Sequence, residues 1–184
     1  MDNYPENLKP PQDEWGGIDK TQFSQWWATV KAQFPTVPDN VAQYWLHEHW
    51  GRSPYRYMAS RRYAFELMQW ETLRLKEIRS TWDNFHPAQA GCIEQGRKLV
   101  TEEQFGQLYP TGVYMKAHKN FPAPIIVLDN RDGHLNVDYP PIWDVPACFA
   151  LIEGHSRFSI ASYLRSIGGL GHSVDVWLMK KNPH

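Results

Sequence analysis

The strongest constraint on the fold is a stretch near the C-terminal end where a buried strand, a tight turn and a helix are predicted in direct succession. Residues 149–152 are all apolar, which suits a strand buried on both faces. A Glu-Gly pair follows, and residues 155–167 have the pattern of a helix that ends at Gly168-Gly169. Residues 125–128 and 174–179 indicate further strands. A chain with this order of elements is expected to fold around a sheet with helices packed against it.

The first half of the chain has the periodicity of helices. A first helix is predicted after Asp19, a suitable N-cap, because the following apolar residues recur at the spacing i, i+3, i+4 and i+7. A second helix is predicted from about residue 39 to Gly51, and a third from about residue 55 to residue 81. The apolar residues of the third helix share one face: Met58, Phe65, Met68, Leu75 and Trp82. Thr101 begins a capping-box pattern that predicts a short helix ending near Tyr109.

These elements predict the α+β class. An extended arm is expected over residues 1–17, a helical region over residues 18–86 and an α/β core over residues 87–184. The helical region is expected to pack on a small mixed sheet with helices. The pattern leaves open whether the helical region is a separate domain or forms one compact unit with the core.

Charge and cysteine content narrow the class of function. The chain has 19 basic and 20 acidic residues, which excludes a protein that coats nucleic acid or a membrane through bulk charge. It has only two cysteines, and they lack CxxC spacing, so the sequence does not indicate a disulfide framework. A reducing compartment is therefore expected. No stretch approaches the roughly 18 apolar residues of a membrane helix, and the first residues lack the pattern of a signal peptide. A cytoplasmic protein without a membrane partner is therefore expected.

The Glu-Gly turn is the best candidate for a functional site. The first backbone amides of the following helix and the positive end of its dipole converge here, and both favour a bound anion. Gly154 permits a positive φ and a close approach of a ligand to the backbone. His155 and Ser156 add side-chain donors in the first helical turn. We therefore expect a phosphate site formed by Gly154, His155, Ser156 and Arg157.

Arg157 makes this turn unusual. At about 100° per residue it lies on the same side of the helix as Ala161 and Leu164, which are expected to face the sheet. A guanidinium placed there meets both desolvation and the positive end of the helix dipole, and an anion would relieve both. That anion is either a bound phosphate or an internal carboxylate such as Glu153. The spacing alone does not choose between them.

The order of these motifs, over about residues 122–180, resembles the core of the ParB/sulfiredoxin superfamily. The resemblance rests on a P-I-x-V strand, a G-x-x-R turn at the start of a helix and a following apolar strand; here these are Pro124-Ile125-Ile126-Val127, Gly154 to Arg157, and Val174-Asp175-Val176. In that superfamily the G-x-x-R turn binds nucleotide phosphates. The resemblance therefore implies a ParB-like fold with a phosphate ligand at Gly154 and Arg157.

The chain departs from both well-known branches of that superfamily. Sulfiredoxins carry a catalytic cysteine directly after the glycine, where this chain has His155, so sulfiredoxin chemistry is excluded. Partition proteins usually have two adjacent arginines in the turn, where this chain has Ser156-Arg157. This departure argues against CTP as the ligand. No recognisable helix-turn-helix pattern follows the core, so a role in partition is not expected.

Two functions follow as hypotheses. The first is a bacterial protein that binds a nucleotide, with Mg²⁺ as its companion, or a nucleic-acid phosphate. If it is an enzyme, it is a nucleotide hydrolase or nuclease in which His155 or Glu153 moves protons. The alternative is a non-enzymatic protein-binding module, such as an immunity, antitoxin or phage accessory protein, which uses its aromatic N-terminal half. No resident metal site is predicted, since the two histidines of His47-Glu48-His49 point to opposite sides of a helix.

Overall fold

The computed structural model describes residues 6–51, 62–135 and 145–182. These residues form two compact units. The first consists of the described parts of Met1–Phe65 and Lys180–His184, and the second of the described parts of Glu66–Met179. This division differs from the predicted boundary at residue 86, because residues 66–86 belong to the second unit.

Helices and turns form most of the first unit. Asp19 caps a 3-10 turn through a hydrogen bond that its carboxylate accepts from a backbone amide, and helix α1 follows at Phe23–Val30. Helix α2 begins as the single α-helical turn Asp39–Val41 and continues as the π-helix Ala42–His47. Both predicted helices are thus confirmed. Aromatic side chains form much of the core of this unit: Trp26, Trp27, Phe34, Trp45 and Trp50.

A five-stranded mixed sheet runs through the second unit. The strands of the described residues, in chain order, are Tyr63–Glu71 (β1), Ile78–Arg79 (β2), Glu103–Gln104 (β3), Gln107–Leu108 (β4), Ile125–Asp129 (β5), Phe149–Glu153 (β6) and Ser173–Lys181 (β7). Five of them form the sheet in the order β1-β7-β5-β6-β2. β5 is parallel to β7 and antiparallel to β6, and β6 is parallel to β2. The α+β class and the three predicted strands of the C-terminal half are confirmed.

Three helices of the second unit are Ala90–Thr101 (α3), Pro110–His118 (α4) and His155–Ser166 (α5). The sequence predicts α5 but not α3, whose pattern is interrupted by glycines. The structure gives the reason for one of these glycines. A Cβ at Gly96 would lie 1.9 Å from the carbonyl oxygen of Ser159 in α5, so α3 and α5 cross in direct backbone contact.

The third predicted helix, over residues 55–81, is wrong in its described part. Residues 55–61 lie outside the described residues, and from residue 62 the chain forms β1, the 3-10 segment Thr72–Glu77 and β2. Tyr63 and Trp70 are each 1% exposed near the two ends of β1. Aromatic residues fit a pleated, half-buried surface well. Pairing in the sheet therefore outweighs a helical spacing that has no tertiary support.

The helix predicted over residues 101–109 is also wrong. Thr101 ends α3 instead of capping a new helix, and β3 and β4 form an antiparallel hairpin. Phe105 and Gly106 make its turn with positive φ angles of 54° and 77°. Two successive residues with positive φ are typical of the tight turn that matches the twist of a two-stranded hairpin. None of the helices in the three described ranges is long and apolar enough to cross a membrane.

Candidate functional site

The junction between β6 and α5 has the local geometry that the sequence predicts. β6 ends at Glu153, Gly154 adopts a φ of 94° and a ψ of 30°, and α5 begins at His155. A Cβ at Gly154 would lie 2.6 Å from Cγ2 of Ile125, so conformation and space both require glycine. The first helical hydrogen bond runs from the Phe158 amide to the Gly154 carbonyl oxygen at 2.8 Å. Because the N-cap is glycine, no N-cap side chain bonds to the first amides of α5.

Arg157 is held by an internal ion pair. Its Nη2 donates to Oε2 of Glu153, four residues earlier, and its Nη1 donates to the carbonyl oxygen of Ala123 at 3.0 Å. The side chains of Arg157 and Glu153 are only 13% and 14% exposed. Of the two anions that the sequence leaves open, the structure supplies the internal carboxylate.

This pair has a structural role at the junction. Arg157 links the first turn of α5 both to the end of β6 and to the segment that leads into β5. Removing one member of a buried pair costs about 3–5 kcal/mol, because the other charge stays behind without compensation. The carboxylate of Glu153 also interacts favourably with the positive end of the α5 dipole. Arg157 therefore fixes the geometry of the turn.

His155 lies beside a segment that the sequence does not connect with this turn. Its Nε2 is 3.2 Å from Oγ1 of Thr81, and its ring centroid is 5.2 Å from that of Trp82. Half of the Trp82 side chain (51%) is exposed. Thr81 and Trp82 belong to the 3-10 turn Thr81–Asp83, where Oγ of Ser80 accepts a hydrogen bond from the Trp82 amide at 3.2 Å. An aromatic pair thus borders the start of α5.

Sequence reasoning missed this aromatic pair. The spacing assigns Trp82 to the apolar face of the third predicted helix, whereas the structure exposes it beside α5. One signal was available. Ser80 is a good cap, and the Asp-Asn pair after Trp82 favours a turn over a continued helix.

The acidic residues that follow β5 bond to neighbours within their own loop. Oδ2 of Asp129 accepts a hydrogen bond from Nη2 of Arg131 at 2.8 Å, and this bond lowers the pKa of the Asp129 carboxyl. Asp132 bonds to the ring of His134, which lowers the pKa of the Asp132 carboxyl. In the part of the chain that the structure describes, no three His, Cys, Asp or Glu side chains are grouped to hold a metal ion.

Comparison of the chain with protein-family models, with curated proteins and with solved structures found no match. The fold defines an α+β protein with a mixed sheet, and its candidate site is the junction of β6 and α5. The resemblance to the ParB/sulfiredoxin superfamily stays a prediction.

Proposed function

We propose that the protein binds a nucleotide or a nucleic-acid phosphate at the N-terminus of α5, as the ParB/sulfiredoxin-like motif order implies. The observation that carries the proposal is a helix start with a glycine N-cap, bordered by a half-exposed tryptophan. The first amides of α5 would donate hydrogen bonds to the phosphate. The exposed face of Trp82 would stack on a base, as aromatic side chains do in many nucleic-acid-binding proteins.

In this proposal Arg157 positions the site. Its guanidinium already bonds to Glu153 and to the Ala123 carbonyl oxygen, so the pair presents no net positive charge to a ligand. The attraction for phosphate comes instead from the amides of the first turn and the helix dipole. Ser156 and His155, both half-buried, add donors from the same turn.

Binding of a phosphate at this site does not require that the protein also hydrolyses it. Since the carboxylate of Glu153 is engaged by Arg157, we expect His155 to be the proton carrier in any hydrolysis of a phosphate ester or anhydride. The test is release of phosphate from ATP and CTP, with Mg²⁺, by the wild type and His155→Gln. Equal rates in the two proteins would remove His155 from the reaction.

The proposal is tested by thermal shift of the full chain with CTP, ATP, GTP and inorganic phosphate, each with and without Mg²⁺. A ligand that binds only the folded state raises the unfolding temperature, and the rise keeps growing with the logarithm of the ligand concentration above its Kd. Trp82→Ala is expected to weaken nucleotide binding by about 5- to 150-fold, since stacking of one base is worth about 1–3 kcal/mol. The same variant should leave the response to inorganic phosphate unchanged. No shift with any of the four ligands would contradict the proposal.

A protein-binding module is the second candidate, and one observation favours it. Phe105 is wholly exposed at the tip of the β3–β4 hairpin, and Leu108 and Val113 are about half exposed. Aromatic side chains such as phenylalanine are enriched in protein interfaces relative to the rest of the surface. The result that favours this candidate is a partner that co-purifies with the wild-type chain and is lost from Phe105→Ser, together with no binding of any phosphate ligand.

A further inference from the structure

A histidine is fully buried in the aromatic core of the first unit. His47 is the last residue of the π-helix Ala42–His47 and is 0% exposed. Within the described ranges of the chain, neither of its ring nitrogens has a hydrogen-bond partner. Buried polar side chains are nearly always hydrogen-bonded, so this arrangement is exceptional.

Two aromatic side chains of α1 pack against the imidazole. The ring centroid of Trp26 lies 5.1 Å from that of His47, and Phe23 meets the imidazole edge-on at 5.5 Å. The ring centroid of Trp26 also lies 6.3 Å from that of Trp50, and Nε1 of Trp26 donates a hydrogen bond of 3.0 Å to the carbonyl oxygen of Leu8. His47 therefore lies within the packing that holds the N-terminal segment against α1.

Among the described residues, the charged groups that act on His47 are few and mostly engaged elsewhere. Asp19 and Lys20 face it from the segment before α1, and Glu48 follows it in the chain. Oε2 of Glu48 is paired with Nζ of Lys20 at 2.7 Å, and Asp19 caps its own turn. Burial outweighs the attraction of the two carboxylates and lowers the pKa of the imidazole. The pocket thus accepts the neutral ring and disfavours the charged one.

We propose that His47 makes the first unit an acid-sensitive element whose aromatic core opens when the imidazole is protonated. Opening would give the charged ring access to water and would break the contact between Trp26 and Leu8. The N-terminal segment would then lose its anchor on α1. Protonation would leave a charged ring whose nitrogens have no hydrogen-bond partner within the described residues.

The direction of the pH dependence follows from linkage. In the unfolded chain a histidine titrates near pH 6.5, and in the folded protein the pKa of His47 is lower. Between these two values the unfolded state binds more protons, so the stability falls as the pH drops below about 6.5. The loss ends once the pH reaches the folded pKa. Over that interval the unfolding constant is expected to rise by up to about tenfold per pH unit.

The test is urea unfolding of the full chain between pH 7.5 and 5.5, followed by tryptophan fluorescence. Asp19 and Asp39, whose carboxyl pKa values are lowered by hydrogen bonds, titrate below this window and do not contribute. His47→Phe replaces the imidazole by an uncharged ring and is expected to remove most of the pH dependence. His118→Gln, which changes an exposed histidine on α4, is expected to retain it.

A pH dependence that persists in His47→Phe would overturn the proposal. If that variant folds poorly, the wild type decides through NMR titration of its imidazole signals. The expected result is that one of the eight histidines stays neutral as the pH falls, until the NMR signals of the folded protein disappear. Eight imidazoles that all titrate near pH 6.5 while the fold is unchanged would equally overturn it.

Discussion

Replacing Gly154 with alanine is expected to destabilise the second unit more than the same change at Gly168. The two glycines have positive φ angles of 94° and 70°, and the left-handed backbone costs alanine about 1–2 kcal/mol at either site. At Gly154 the new methyl group would also lie 2.6 Å from Cγ2 of the buried Ile125, whereas nothing lies within 4 Å at Gly168. Overpacking of this kind costs about 1–3 kcal/mol more.

The unfolded chain contributes equally to the two variants. Alanine reduces the conformational entropy of the unfolded chain, which offsets roughly 0.4–1 kcal/mol of the destabilisation in each variant. This effect therefore cancels when the two variants are compared. Gly154→Ala is therefore expected to lower the free energy of unfolding by about 1–3 kcal/mol more than Gly168→Ala. The assay is urea unfolding followed by far-UV circular dichroism. Equal losses in the two variants would show that the turn has room for a side chain, which the geometry of the junction denies.

Three further predictions concern the second unit. Gly96→Ala would place a methyl group 1.9 Å from the carbonyl oxygen of Ser159, so we expect at least about 3 kcal/mol of destabilisation in urea; a stabilised variant would mean that α3 and α5 do not cross there. Nε2 of Gln89 donates hydrogen bonds of 2.8 Å to the backbone carbonyl oxygens of Leu75 and Ile78. Gln89→Leu removes this donor and is expected to lower the free energy of unfolding by about 2–4 kcal/mol. The control Gln104→Leu, at an exposed position, is expected to change the free energy of unfolding very little. Burial raises the pKa of Cys148 to about 11, so its reaction with a thiol reagent at pH 8 should be slow in the folded chain and fast in urea; rapid labelling of the folded chain would contradict this.

The C-terminal half of the fold can be predicted from sequence because its local signals agree with the tertiary structure. Residues 125–128 and 149–152 are apolar at every position, and both lie inside the sheet, where β5 and β6 each have a neighbour on either side. Gly154 occurs where the chain needs a positive φ, and α5 follows at once. Propensity, burial and turn chemistry indicate the same structure here.

The prediction fails where tertiary contacts overrule the local pattern. β1 has apolar residues at a helical spacing, but its extended conformation depends on a partner, β7, that lies about a hundred residues later in the chain. Glycine normally weakens a helix, yet Gly96 lies within α3 because the helix crossing with Ser159 leaves no room for a side chain. Neither the pairing of β1 with β7 nor the crossing of α3 with α5 can be read from the local pattern of a single sequence.

At the candidate site, too, the local pattern predicts some features and misses those that depend on distant residues. The phase of the helix correctly places Arg157 on the inward side, since its side chain is largely buried. Which anion meets the guanidinium depends on the position of Glu153 and on the carbonyl oxygen of Ala123, more than thirty residues away. The aromatic pair of His155 and Trp82 likewise joins two distant segments. Periodicity can orient a side chain, but it cannot identify its distant partners.

The most direct measurement of the proposed site is calorimetric titration of ATP and CTP, with Mg²⁺, into the wild type, Ser156→Asp and Ser156→Asn. An aspartate in the first turn of α5 favours the helix through its dipole and repels a phosphate at the same amides, whereas asparagine is its uncharged match. We predict that Ser156→Asp binds at least about tenfold more weakly than Ser156→Asn, at a cost of about 1.4 kcal/mol or more, with no loss of folding stability. Equal affinity in the two variants, or no binding to the wild type, would contradict a phosphate site at the start of α5.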